Sequence, residues 1–243
     1  MRWKMKITIR KNPYDNNINL YKKDEFELNS GVTILTGHNG SGKTTLLGEI
    51  KYFCKENKIP CFEYDNYREG SNNSIQLYLL QNDFKSISQT AFHSEGEQLL
   101  FNFGKQFANK VGSFIKKNSD SQQLVFLLDA LDSGLDVDGI DQILNLFKLI
   151  ISDFKNKEIY IVASANNYAM IHKQRCLDVK TFKEIYFDKF EDYQKYINNQ
   201  YKKIRGERWV KKYNVNAVKS IGGKRTFIHK VGCVLTVMII LLT

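Results

Sequence analysis

Proline is almost absent from this chain of 243 residues, with two in all against 15 glycines. That scarcity excludes collagen-like and proline-rich linker sequences, and it leaves little to interrupt helices or buried strands. Cysteine is nearly as rare: Cys54, Cys61, Cys176 and Cys233 form no CxxC pair and share no metal-ligand spacing with the four histidines. Neither a disulfide framework nor a zinc site is indicated, and a reducing compartment, the cytoplasm, is the expectation. No apolar run reaches the roughly 20 residues of a spanning helix. The longest, Val231 to Leu242, lies at the end of the sequence, while Met1 to Lys11 mixes bases with apolar residues and holds no secretory signal core.

A composition that is 42% hydrophobic, 26% charged and 13% aromatic is that of a globular chain with a sizeable core. Its net charge of +10 is uneven. Ten lysines and arginines between Tyr201 and Thr243 face one acid, Glu207, so residues 1–200 make a nearly neutral body and residues 201–243 a basic tail. Such a tail suits a polyanion, a nucleic acid in the first instance. The apolar terminus adds a rival, contact with an anionic membrane surface.

Along the body, Lys6 to Ile9 and Glu25 to Leu28 alternate as strands across a turn-rich Asn12 to Asn17, an antiparallel opening. Val32 to Leu35 is a strand that runs into a glycine-rich loop, and Thr44 to Phe53 then has helical apolar spacing. Ile75 to Leu80 is a further strand, and Ser94 opens a long helix whose apolar positions run through Leu99, Phe103, Phe107, Val111 and Phe114. Leu124 to Leu128 and Ile159 to Ala163 are continuous apolar runs of the kind buried in a parallel sheet, separated by a helix carrying Ile140, Ile143, Leu144, Phe147 and Ile150. Glu184 to Phe187 is a short strand, and Phe190 to Arg205 a helix in which Tyr193, Tyr196 and Tyr201 mix with lysines, a face that packs or stacks on nucleic-acid bases. The pattern predicts an α/β fold with a mainly parallel sheet between flanking helices and an antiparallel N-terminal β portion.

Between the strand at Val32 and the helix at Thr44, Gly37-His38-Asn39-Gly40-Ser41-Gly42-Lys43-Thr44-Thr45 satisfies G-x-x-x-x-G-K-[ST]. Glycines let successive N–H groups turn inward around phosphates, the helix N-terminus adds partial positive charge, Lys43 reaches the β- and γ-phosphates and Thr44 can ligate Mg²⁺. ATP with Mg²⁺ is the implied ligand pair. Asp129 ends the apolar run at Leu128, where its carboxylate can hold the hydration shell of the cation.

Asn39 to Leu47 together with Asp132-Ser133-Gly134-Leu135-Asp136 resembles the phosphate loop and D-loop of the ATP-binding cassette ATPases, P-loop NTPases, with Asp136 seven residues after Asp129. The resemblance implies roles for three further places. Gln81 is similar to the glutamine that contacts the metal and the attacking water. Ser94-Glu95-Gly96-Glu97-Gln98 stands in the place of the signature that meets ATP bound by a second subunit, through Ser94, Gly96 and Glu97, and so implies a homodimer formed on ATP binding; Ser94 and Glu97 also have capping-box spacing. Tyr14 and Tyr21 are candidates to stack on adenine. Two positions depart from the family. Its general base is a glutamate after the Walker B aspartate, where this chain has Ala130, whose methyl group cannot deprotonate water. Asp132 is the substitute candidate, or else it caps the loop. The family's switch histidine is replaced by Ser164-Ala165-Asn166-Asn167, of which Asn166 or Asn167 can hydrogen-bond phosphate but not transfer a proton.

Only 12 residues separate Gln81 from Ser94, little room for the helical subdomain that grips a membrane permease. The resemblance therefore favours the soluble branch acting in DNA repair, phage or defence processes, with a nucleic acid or a nuclease as partner and slow or partner-dependent hydrolysis. A transporter subunit and a non-hydrolysing interaction module are the alternatives.

Overall fold

The computed structural model describes residues 3–14, 19–66 and 107–212, and the side chains of these except Ala108 and residues 203–212. Two strands, β1 (Lys4–Thr8) and β2 (Glu25–Asn29), pair antiparallel with Lys4 opposite Asn29 and Thr8 opposite Glu25. Met5, Ile7, Phe26 and Leu28 face inward, and the alternate positions carry exposed ion pairs, Lys4 with Glu27 and Lys6 with Glu25, both at 2.7 Å. Exposed pairs of this kind are worth little, so burial of the apolar face holds the hairpin.

The remaining strands form one sheet in the order β4 (Cys61–Asp65), β5 (Gln123–Asp129), β6 (Glu158–Ser164), β3 (Gly31–Thr36), β7 (Cys176–Asp178) and β8 (Glu184–Ile185). All neighbours are parallel except β8, which runs against β7. β5 and β6 are buried almost throughout because both faces of the sheet are covered. On one face α1 (Lys43–Glu56) lays Leu46, Leu47, Ile50 and Cys54 against Val125, Leu127, Tyr160 and Val162, and the β1–β2 hairpin extends that layer. On the other face α3 (Val137–Asp153) buries Ile140, Ile143, Leu144, Phe147 and Ile150 among Phe126, Leu128, Ile159 and Ile161, joined by Phe107 and Val111 of the α2 (Ala108–Lys117) region.

Expected and observed elements agree from the hairpin through β3, α1, β5, α3 and β6. Three short elements were not anticipated: β4, the three-residue β7, and the single turn α4 (Tyr168–Ile171). The strand expected at Ile75 to Leu80 and the start of the helix from Ser94 lie outside the described residues, as does the chain after Lys212. The last helix, α5 (Phe190–Lys212), is seven residues longer than its apolar spacing suggested. Contacts group the chain through Tyr201 into one unit, and a second begins at Lys202. Among the described residues no helix is long and apolar enough to cross a membrane.

Candidate nucleotide site

The phosphate loop leaves β3 at Thr36 and enters α1 at Lys43. Gly42 caps the helix in a left-handed conformation (φ 101°), and a Cβ there would also meet Leu20 Cδ2 at 2.9 Å. At Gly37 a Cβ would fall 2.6 Å from Ser41 Oγ. Both positions therefore exclude a side chain, and the loop is drawn tight around its own backbone. Ser41 N donates to His38 O at 3.0 Å, while the buried Ser41 hydroxyl finds no partner among the described residues. An orphaned hydroxyl inside a loop of this form is consistent with a site made to receive a polar ligand.

Lys43 is only 8% exposed, and its Nζ donates to the carbonyls of Gly37 (2.9 Å) and His38 (3.3 Å). Burial lowers its pKa below the ordinary value, against the opposing pull of the Asp132 and Asp129 carboxylates. A desolvated ammonium resting on carbonyl oxygens is ready to exchange them for phosphate oxygens. Tyr21, expected beside adenine, is instead 2% exposed, and its hydroxyl donates to Gly42 O at 3.0 Å, bracing the loop from beneath. Tyr14 is 61% exposed, and its hydroxyl lies 2.5 Å from Thr45 Oγ1 at the cleft margin.

A cleft of about 340 Å³ opens over this loop, lined by Tyr14, Leu20, Asn39, Gly40, Gly42, Lys43, Thr44, Thr45, Asp129, Ala130, Ser164 and Asn166. Its size is that of a small-molecule site. Strand β6 lies between β3 and β5, so its terminal Ser164 stands between the phosphate loop and Asp129. The Ser164 hydroxyl donates to Asp129 Oδ1 and accepts from Ala130 N at 2.9 Å. In the sequence Ser164 only begins the segment that replaces the family's histidine; in the fold it orients Asp129, a role that no local motif announces. Ala130 takes φ 54°, a left-handed conformation uncommon for a residue with a Cβ, and Asn66 Nδ2 donates to Ala130 O (3.1 Å) and Ser133 O (3.2 Å), holding the turn.

The candidate acids beyond Asp129 have structural partners. Asp132 Oδ2 accepts from the N–H groups of Asn166 (2.6 Å) and Asn167 (2.5 Å), tying the turn after β5 to the turn after β6. Asp136 caps α3, its Oδ1 accepting from Gly139 N at 2.8 Å. Of the two asparagines in place of the switch histidine, Asn167 caps α4 through Ala169 N (3.0 Å), and Asn166 lines the cleft. Gln81, Ser94, Gly96 and Glu97 lie outside the described residues. A further group was not anticipated at all: Gln200 of α5 accepts from His38 N through its Oε1 at 3.0 Å and donates to Asp178 Oδ2 at 3.1 Å.

A family model described as an AAA domain matches residues 16–219. The chain belongs to that family. This AAA domain is thus a P-loop ATPase domain, a nucleotide-binding fold whose family generally works on ATP with Mg²⁺. Thr44 and Asp129, which line the cleft together, fit the cation, and the glycine loop with Lys43 fits the phosphates. No curated protein matches the AAA domain. Among solved structures it is similar to a chain in the structure of Drosophila ORC bound to poly(dA/dT) DNA and Cdc6, at 11% identity and a TM-score of 0.32, over 62% of this chain and 25% of that one. The AAA domain thus spans a quarter of that chain's length.

Proposed function

We propose that this AAA domain is an ATP-driven switch of the cytoplasm that binds Mg·ATP, dimerises through it and hydrolyses it slowly. The observation that carries the reading is the tight glycine loop with a buried Lys43 facing Asp129 across one cleft, joined to an alanine where a proton acceptor is usual. The phosphates take up the N–H groups at the start of α1, Lys43 leaves its carbonyls for them, and Thr44 with Asp129 faces the cation. Gln81 joins that metal side. Ser94, Gly96 and Glu97 of a second copy close over the γ-phosphate, with Asp136 at the subunit boundary. The free thiols of Cys54, Cys61 and Cys176 suit a reducing compartment. The basic tail supports a nucleic acid, or a nuclease working on one, as the partner, and repair or defence as the setting.

Titration with a fluorescent ATP analogue tests the site. Lys43→Ala removes the side-chain cation placed on the β- and γ-phosphates, so affinity falls at least about tenfold. An unchanged dissociation constant contradicts the assignment. In the same samples, light scattering gives a dimer with a non-hydrolysable ATP analogue and a monomer with ADP, and a monomer in both contradicts dimerisation.

A further inference from the structure

Strands β4 and β5 run parallel with Asp65 directly opposite Asp129. Along β4, Phe62 and Tyr64 join the core beneath α3, as Phe126 and Leu128 do along β5. Alternation therefore puts Asp65 and Asp129 on the other face, towards α1. Neighbouring strands lie about 4.8 Å apart, so the two carboxylates leave the sheet side by side at its C-terminal edge. With Thr44 they line a cavity of about 200 Å³, and Thr44 and Asp129 line the phosphate-loop cleft as well. The placement is fixed by Asn66, whose side chain ties the residue after Asp65 to the turn after Asp129.

Asp65 thus stands one strand from Asp129, on the face that carries the phosphate-binding helix. Ala130, at the position after Asp129, offers only a methyl group, and Asp132 is engaged by two backbone N–H groups. We propose that Asp65 is a catalytic residue of this site, holding the attacking water and receiving its proton beside the cation that Thr44 and Asp129 face. This rests on the ATPase reading above. The water oxygen bonds to the γ-phosphorus as the bond from that phosphorus to the β,γ-bridging oxygen breaks, its electron pair remaining on ADP. The water's proton passes to an Asp65 carboxylate oxygen and leaves with the released phosphate.

The test uses the full chain as wild type, Asp65→Asn, Asp65→Glu and Asp132→Asn, with three readouts: affinity for Mg·ATP, Mn²⁺ affinity in the presence of a non-hydrolysable ATP analogue by electron paramagnetic resonance, and single-turnover phosphate release. Asp65→Asn keeps nucleotide affinity, slows release by about 10²- to 10⁴-fold and weakens Mn²⁺ about tenfold, while Asp65→Glu recovers part of both. Unchanged release or unchanged Mn²⁺ affinity in Asp65→Asn overturns the proposal, as does a loss of release confined to Asp132→Asn or a wild type that binds Mn·ATP and never hydrolyses it. If Asp65→Asn also loses ATP affinity, Asp65→Glu decides: recovered Mn²⁺ affinity supports the role, and its absence overturns it. A wild type that fails to bind Mg·ATP at all is a different result, and it refutes the ATPase reading itself.

Discussion

Lys43 joins two opposed demands in one side chain. Burial lowers its pKa below 10.5, while Asp132 and Asp129 hold it up. Because the unfolded chain binds that proton more tightly, the nucleotide-free fold gains stability as pH rises between the lowered value and 10.5. Phosphate binding has the opposite preference, since it needs the charged form. ATP affinity should therefore fall as pH climbs through the same alkaline window, and binding there should take up a proton. Calorimetry in buffers of different ionisation enthalpy reads that uptake directly, and Lys43→Arg, charged throughout, should remove it. Much of the candidate site was legible at this scale, because Gly37 to Thr45 is contiguous and its residue types point to phosphate binding without help from the fold. Ser164, Asn66 and Asp65 were not legible. Each does its work through a neighbour brought in by the sheet, and a serine that ends an apolar strand or an aspartate that ends a short one does not announce that neighbour.

At the scale of elements, α5 is a strut for the phosphate loop. Asp178, buried at the end of β7, accepts from Lys180 N and Thr181 N (2.8 Å each) and from Tyr196 Oη (2.7 Å) and Gln200 Nε2 (3.1 Å) of α5. Gln200 passes the connection on to His38 N, and the Tyr201 ring lies 5.5 Å from the His38 ring. Two substitutions separate holding the helix from holding the loop. Asp178→Ala strands four donors and should cost roughly 2–4 kcal/mol of stability by thermal or denaturant unfolding. Gln200→Ala leaves the helix anchored through Tyr196, so it should lower ATP affinity by about 3- to 10-fold with little change in melting temperature. Equal effects on both measurements would mean that α5 merely packs. The helix was legible from its spacing, its contact with the loop was not, and the reason is the same as for β7: three residues, Cys176 to Asp178, give no alternation to read, yet they place the carboxylate on which α5 hangs. β4 was recoverable in principle, since Phe62 and Tyr64 alternate with Glu63 and Asp65 directly after Pro60.

For the whole molecule, the candidate nucleotide site lies in residues 1–200 and nearly all of the net charge in residues 201–243. The ten bases from Lys202 to Lys230 carry the proposed contact with a polyanion. Reversing Lys219, Lys224 and Arg225 to glutamate should weaken DNA binding and flatten its steep decline with salt, because fewer counterions are released, while ATP affinity stays unchanged. Flotation with anionic liposomes that is lost in the same variant, with DNA binding intact, would assign the tail to a membrane surface instead.

The central place of β3 has one more consequence. Gly31 pairs with Tyr160, and Ile34 with Cys176, so the strand that launches the phosphate loop waits for ladder partners made more than about 100 residues later. During synthesis the motif emerges early, but its scaffold is closed only when β6 and β7 have left the ribosome. Nucleotide is then a ligand only of a chain that has already made β6 and β7, and ATP cannot steady a shorter nascent chain against proteases or aggregation before that point.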